Sequence, residues 1–166
     1  GGVDRIFAGD GNDTIILTAS DATNLTANAS GGVMATINGG GDFDTLQLTT
    51  AGVNLDLTTI SNIGASGIEE NSRIESIEHI NLGADTTTFA LTLSAADVND
   101  MAGMNLINST SGWTNGTYTL AAAVNKHQLV IDGTASDAVT LTGGWANAGT
   151  LSKGGNTYTV FNSGTS

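Results

Sequence analysis

Asp4 and Asp13 stand nine residues apart, and Ile6 and Ile15 keep the same offset. The second of these sits in Gly9-Asp10-Gly11-Asn12-Asp13-Thr14-Ile15, which fits the nonapeptide G-G-x-G-x-D-x-U-x, where U is a large apolar residue. An imperfect copy follows at Gly39-Gly40-Gly41-Asp42-Phe43-Asp44-Thr45-Leu46, with Asp42 where the repeat prefers glycine. The chemistry this spacing supports is capture of a hard cation. The glycine-rich half turns tightly and directs carbonyl oxygens inward, the Asp adds a carboxylate, and the apolar residue after it anchors a short strand in the core. A single Gly-Asn-Asp turn would be an ordinary feature of an acidic loop. Two copies in phase and a degenerate third point to calcium, with Asp4, Gly9, Asp10, Gly11, Asp13, Gly39, Asp42 and Asp44 as candidate ligands. Asp132 and Asp137, in Asp132-Gly133-Thr134-Ala135-Ser136-Asp137, form a second candidate loop, which a plain strand-connecting turn explains equally well.

Other chemistries find less support. His79 and His127 are the only histidines. Nothing resembles a nucleophile elbow, a zinc-binding H-E-x-x-H or a recognisable carboxylate pair, so the chain is not read as an enzyme. His79 follows Glu78 in an apolar run and reads as a hydrogen-bonded strand histidine. Asp97, Asn99 and Asp100 lack the glycine and distal glutamate of an EF-hand, and capping explains them better. The segment from Asn108 to Tyr118 sets Trp113 among Gly, Asn, Ser and Thr, which suits adaptable recognition. Trp113, Asn115 and Tyr118 are therefore the candidate ligand-binding residues, against the alternative that Trp113 plugs the core. Trp145, after Gly143 and Gly144, reads as a ring covering a sheet end.

Strands must position these groups. Leu46 and Leu48, Leu55 and Leu57, and Phe89, Leu91 and Leu93 alternate with polar neighbours, the period of a half-buried strand. Further strands are read at Tyr118–Leu120, Gln128–Ile131, Ala138–Leu141 and Thr157–Phe161, with Gly, Asn or Asp in most gaps. Ile74, Ile77 and Ile80 recur every third residue and imply a bend, then a strand beginning near Ile77. One short helix is expected over 94–102, with Ser94 and Asp97 forming a capping-box-like start. Thr18 to Met34 reads as an excursion from the repeat array.

Composition sets the limits. The 166 residues suit one domain, and a hydrophobic share of 39% exceeds that of a disordered tail. Sixteen acids against four bases give a formal charge of −12, which repels phosphate backbones and anionic lipid and argues against nucleic-acid binding. No stretch approaches ~20 consecutive apolar residues, so no membrane insertion is expected. Cysteine is absent, which removes disulfides and thiol chemistry, and calcium is the staple that remains. Proline is absent too, so tight turning falls to 23 glycines with Asn and Asp. The opening Gly1-Gly2-Val3-Asp4-Arg5 has no basic n-region or apolar h-region and reads as the interior of a longer protein.

Taken in order, Asp44-Thr45-Leu46, Leu55-Asp56-Leu57-Thr58-Thr59-Ile60, Ile74 to Leu82, Leu91 to Val98, Leu129 to Gly133 and Val139 to Trp145 resemble modules near the C-terminal end of giant RTX adhesins of Gram-negative bacteria. The resemblance omits roughly Thr18 to Met34 and Asn105 to Lys126. It implies type I secretion, folding outside the cell where calcium is abundant, and a cell-surface module within a larger chain, which its acidic charge leads us to expect as a monomer. It is nearest the peptide-binding kind, whose calcium helps fix the ligand and could receive a peptide carboxylate. A sugar-binding module and a purely structural spacer are the alternatives. The expected fold is all-β: RTX-type parallel β-roll turns with an insertion over 1–48, joined to a β-sandwich-like, ligand-binding body over 49–166.

Overall fold

The computed structural model describes residues 3–26, 35–49, 53–60, 72–84 and 86–164. The chain is built from strands, as expected, but most of them stack parallel in successive coils. The first coil holds β1 (Arg5–Asp10), β2 (Thr14–Leu17) and helix α1 (Ala19–Thr26). The second holds β3 (Thr36–Gly41), β4 (Thr45–Leu48) and β5 (Asn54–Asp56). The third holds β6 (Ile74–Glu75), β7 (His79–Asn81), β8 (Ala90–Ser94) and then helix α2 (Ala95–Met101). After β9 (Thr114–Asn115), the last coil supplies β10 (Val130–Asp132) and β11 (Ala138–Thr142), and the hairpin β12 (Trp145–Lys153) and β13 (Asn156–Ser163) follows.

Strands of one coil pair with those of the next, which gives three parallel faces: β1-β3-β6, β2-β4-β7-β10 and β5-β8-β11. A fourth sheet, β13-β12-β9, is antiparallel. The sandwich-like body expected over 49–166 is therefore corrected. A sandwich pairs neighbouring strands through hairpins, whereas β5, β7, β8, β10 and β11 each find a parallel partner one coil away. The nine-residue spacing of Asp4 and Asp13 is the step from the start of the first face to the start of the second. The spacing from coil to coil is longer, 31 residues between Asp13 and Asp44.

Alternation along each strand sends every second side chain inward, and parallel register stacks these into columns. Ile6, Ile37 and Ile74 form one column, Ile15, Leu46, Ile80 and Ile131 another, and Leu55, Leu91 and Val139 a third. Leu46, Ile80 and Leu91 are completely buried. Each such side chain contributes about 1.5–3 kcal/mol relative to exposure. Coils 31 or more residues long therefore hold together without cystine. The helices close gaps in this frame. α2 starts with the expected box: the Asp97 carboxylate accepts the Ser94 N–H at 2.7 Å and the Ser94 hydroxyl accepts the Asp97 N–H. α1 falls where the sequence suggested only an excursion, and it buries Ala22 and Leu25 against the core. Residues 27–34 of that excursion lie outside the described residues. The strand after the Ile74 bend begins at His79, two residues later than expected, because Glu78 turns inward at the corner. No helix among the described residues is long and apolar enough to cross a membrane.

Successive coils approach closely where Gly9 and Gly40 lie in register, with φ of 105° and 100°. A Cβ on Gly40 would stand 2.0 Å from the Gly9 carbonyl oxygen, whereas one on Gly9 would meet nothing within 4 Å. Both positions lie in a backbone region that L side chains rarely adopt. Gly9→Ala should then cost only the conformational strain, about 1–3 kcal/mol. Gly40→Ala should cost distinctly more, because backbone must yield as well. Urea unfolding of the two variants measures the difference, and equal losses would show that the coils are not in contact at this pair.

Candidate functional site: an acidic corner and an apolar cleft

The corner between the first two faces is where the repeat copies meet. Gly9 to Asp13 lies over Gly40 to Asp44, with Asp10 opposite Gly41 and Thr14 opposite Thr45. Asp42 takes the place of Gly11 and shares its backbone conformation, φ 79° against 106°. Asp tolerates this region better than most residues, so the departure from glycine keeps the turn. Side chains then stitch one coil to the next. The Gly11 N–H donates to Asp42 Oδ2 at 3.2 Å, the Phe43 N–H to Asn12 Oδ1 at 3.0 Å, and the Asp13 N–H to Asp44 Oδ1 at 2.8 Å.

A third acid continues the column. The Asp44 N–H donates to Glu78 Oε2 at 2.9 Å, and Glu78 Oε1 accepts the Gly103 N–H at 3.2 Å. Asp44 and Glu78 are both buried. The other oxygens are not all satisfied: Asp13 Oδ2 and Asp44 Oδ2 are buried and accept no hydrogen bond. Gly39 lies against the second of these. A Cβ there would stand 2.5 Å from Asp44 Oδ2 and 2.1 Å from the Ser76 carbonyl oxygen, so only glycine fits. The corner thus gathers carboxylate and carbonyl oxygens, which are hard donors of the kind calcium prefers. Among the described residues no group of three His, Cys, Asp or Glu side chains gathers to hold a metal by side chains alone. Carbonyl oxygens would have to complete the shell.

Burial, and then the nearby Asp13 and Asp42 charges, raise the Asp44 pKa above its ordinary 3.8, against the lowering effect of the Asp13 N–H. Burial likewise raises Glu78 above 4.5, with the Asp44 charge adding to it and the backbone N–H bonds opposing.

The other candidate ligands stand apart from this corner core. Asp4 is exposed ahead of β1, where its carbonyl accepts the Thr36 N–H, and Asp10 is exposed beside Gly41. Asp137 uses Oδ1 for the Phe89 N–H and Oδ2 for the Thr134 N–H and hydroxyl, so it braces its own turn. Asp132 Oδ2 lies 3.0 Å from His79 Nε2, and His79 Nδ1 lies 3.0 Å from the Thr45 hydroxyl. That chain runs along the outer surface of the second face, with Phe43 stacked on the His79 ring.

The loop that carries Trp113 is packed, so of the two readings of this residue the structure matches the core plug and not the exposed anchor. Trp113 is 5% exposed, sits edge-on to Tyr158 with ring centroids 5.0 Å apart, and lies under the Lys153 ammonium. It forms a second small core with Leu120, Val130 and Leu151, which holds the hairpin to the coil. Asn115 Oδ1 accepts the Leu120 N–H at 2.9 Å and fastens the loop. The reason is pairing: β9 joins β12, so the segment is a strand of the antiparallel sheet rather than a free loop. Of the three, Trp113 and Tyr118 line an open space and Asn115 does not.

That space is a cleft of about 900 Å³ between the last coil and the hairpin. Ile131, Val139, Leu141, Trp145 and Phe161 supply its apolar lining, beside Asp132. Sequence reasoning marked Trp145 as covering a sheet end, and its Nε1–H donates to the Thr142 carbonyl at 3.0 Å on the cleft wall. It did not find the cleft, because the walls come from strands that look like ordinary core strands. Comparison with protein-family models, curated proteins and solved structures yields no match.

The raised acids fix a pH dependence. A carboxyl whose folded pKa lies above its unfolded value binds its proton more tightly in the native state, so stability falls as pH rises through that folded value. Asp21 and Asp137 are shifted the other way, and their contributions are lost only as pH falls below about 3.8. Metal-free protein should therefore lose stability as pH rises from about 4 toward neutrality, and Glu78→Gln should flatten that slope. Thermal melts in chelator across this range check it; a melting temperature that climbs with pH would contradict the assignment.

Proposed function

We propose that this chain is a calcium-stiffened adhesin module of the extracellular surface, whose coil presents a cleft for a short peptide. The observation that carries it is the pair of buried carboxylate oxygens, Asp13 Oδ2 and Asp44 Oδ2, left without partners on stacked copies of one Gly-Asp motif. A buried, unsatisfied polar atom costs about 1–3 kcal/mol, more when charged. An ion is the simplest group to offset that cost for both acids. Calcium suits it better than zinc, because the donors are oxygens and neither Cys nor a His cluster is near. On this reading the repeats are of the RTX kind, set at a corner of a wide coil. The protein would be secreted by a type I route and would fold once outside, where the cation is plentiful.

Asp13 and Asp44 would hold the ion, with carbonyl oxygens such as that of Ser76 beside them. None of these residues lines the cleft. Calcium therefore acts on the fold, and the cleft acts on the ligand. Its size falls within the ~300–1,000 Å³ of ordinary ligand sites, and its lining is largely apolar with a few polar groups. That favours a peptide over a sugar, which would ask for more hydrogen-bonding side chains.

Extracellular calcium modules bind at about 10⁻⁴–10⁻³ M, and a site filled at tenfold its dissociation constant adds roughly 1.4 kcal/mol. Calcium should raise the melting temperature of EDTA-treated protein, and magnesium should do so less. Asp44→Asn keeps an oxygen to accept the Asp13 N–H but removes the charge. This variant should melt no lower than wild type in EDTA and should lose most of the calcium gain. An equal calcium gain in wild type and variant would place the ion elsewhere, and no gain in either would remove calcium from the account.

A further inference from the structure

The apolar columns of the coil do not end in the same way at every position. Leu55 and Leu91 are 1% and 0% exposed, yet Val139, next in their register, is 44% exposed. Ile80 is fully buried, and Ile131 beside it is only half-buried. Leu93 is buried, whereas its partner Leu141 is half-buried. At the end of the coil the core therefore opens into the cleft, where these three side chains form the floor.

The same strands are the outermost of their faces: β10 ends the second and β11 ends the third. In a parallel ladder alternate residues bond to opposite neighbours. The Ala138 N–H donates to the Phe89 carbonyl, so Ala138, Thr140 and Thr142 face β8, and the backbone groups of Val139 and Leu141 face the open edge. The Val130 N–H donates to the Glu78 carbonyl and the Asp132 carbonyl accepts the Leu82 N–H, which turns the Ile131 backbone outward likewise. Free backbone donors and acceptors thus stand beside exposed apolar side chains in one cleft.

We infer that the ligand binds by strand addition: an extended peptide lies along β11 as the fourth strand of the third face. It would bury a large apolar side chain at every second residue over Val139 and Leu141. Backbone groups at an edge ask for backbone in return, which a helix or a sugar does not present in register. The ligand is neutral or basic, since Asp132 borders the cleft and the whole chain carries −12. A second copy of this chain is a poor occupant. It is equally acidic, and its first coil offers α1 where a third-face strand would be needed. This inference rests on the peptide reading above and specifies how that peptide is held.

The probe is an amidated six-residue peptide alternating valine with threonine and lysine, titrated by calorimetry in calcium. Two N-methylated forms, each blocking one alternate set of amides, are compared with it. Strand addition predicts that one set weakens binding at least tenfold while the other is tolerated. It also predicts that Val139→Lys, at an exposed position and with an unchanged melt, loses binding at least tenfold. Equal tolerance of both methylated forms would overturn strand addition and leave peptide binding standing. No binding of this peptide or of a general peptide array would overturn both. Self-association of the protein alone, abolished by Val139→Lys, would overturn the inference by assigning the edge to a second copy.

Discussion

Everything in the coil follows from how its first corner stacks. Parallel strands placed one above another must turn at the same point in each coil, and at this corner the turn brings Asp13 and Asp44 into one column with Glu78. Each lower acid accepts the backbone N–H of the acid above it, so the corner amides are satisfied by side chains instead of by water. The arrangement fixes the register of β2, β4 and β7, and so the columns of Ile15, Leu46 and Ile80 that make the core. At this corner glycine is required at two points for a steric reason. Gly40 passes beneath the Gly9 carbonyl, and Gly39 makes room for Asp44 and the Ser76 carbonyl.

The same stacking creates an electrostatic cost. Like charges are brought together with burial, and the raised pKa values of Asp44 and Glu78 register both effects. If the corner holds a cation as proposed, it would be weak where cations are scarce and strong where they are abundant. That property would suit the proposed export of an unfolded chain that folds outside the cell. The hairpin has a different role. Trp113, Tyr158, Lys153 and Phe43 interleave to dock it on the outer surface of the second face, and in doing so they raise one wall of the cleft.

Much of this was legible in the residues. Alternation at Leu46 and Leu48 and at Leu91 and Leu93 marked strands, and Ser94 with Asp97 marked the start of α2. What alternation cannot carry is the partner of a strand. Leu91 lies opposite Leu55 and Val139, dozens of residues away in either direction, and a local pattern contains no trace of that distance. For this reason the parallel coil beyond residue 48 was read as a sandwich. The corner acids were recognised from the repeat, but Glu78 was missed, because its coil cuts the corner short and keeps only the carboxylate. Trp113 was left between anchor and core plug because a Gly, Asn and Ser-rich surround signals a loop, whereas its burial depends on Tyr158 and Leu151 from the hairpin.

The orphaned oxygens of Asp13 and Asp44 are proposed as ligands of one ion. A crystal structure grown in calcium, with anomalous diffraction data collected to locate the metal, tests this directly. The expected result is an anomalous peak at the corner, about 2.3–2.6 Å from Asp44 Oδ2 and within the same range of an Asp13 oxygen. A corner holding no metal at millimolar calcium, with Asp44 Oδ2 hydrogen-bonded to water or protein instead, would contradict it.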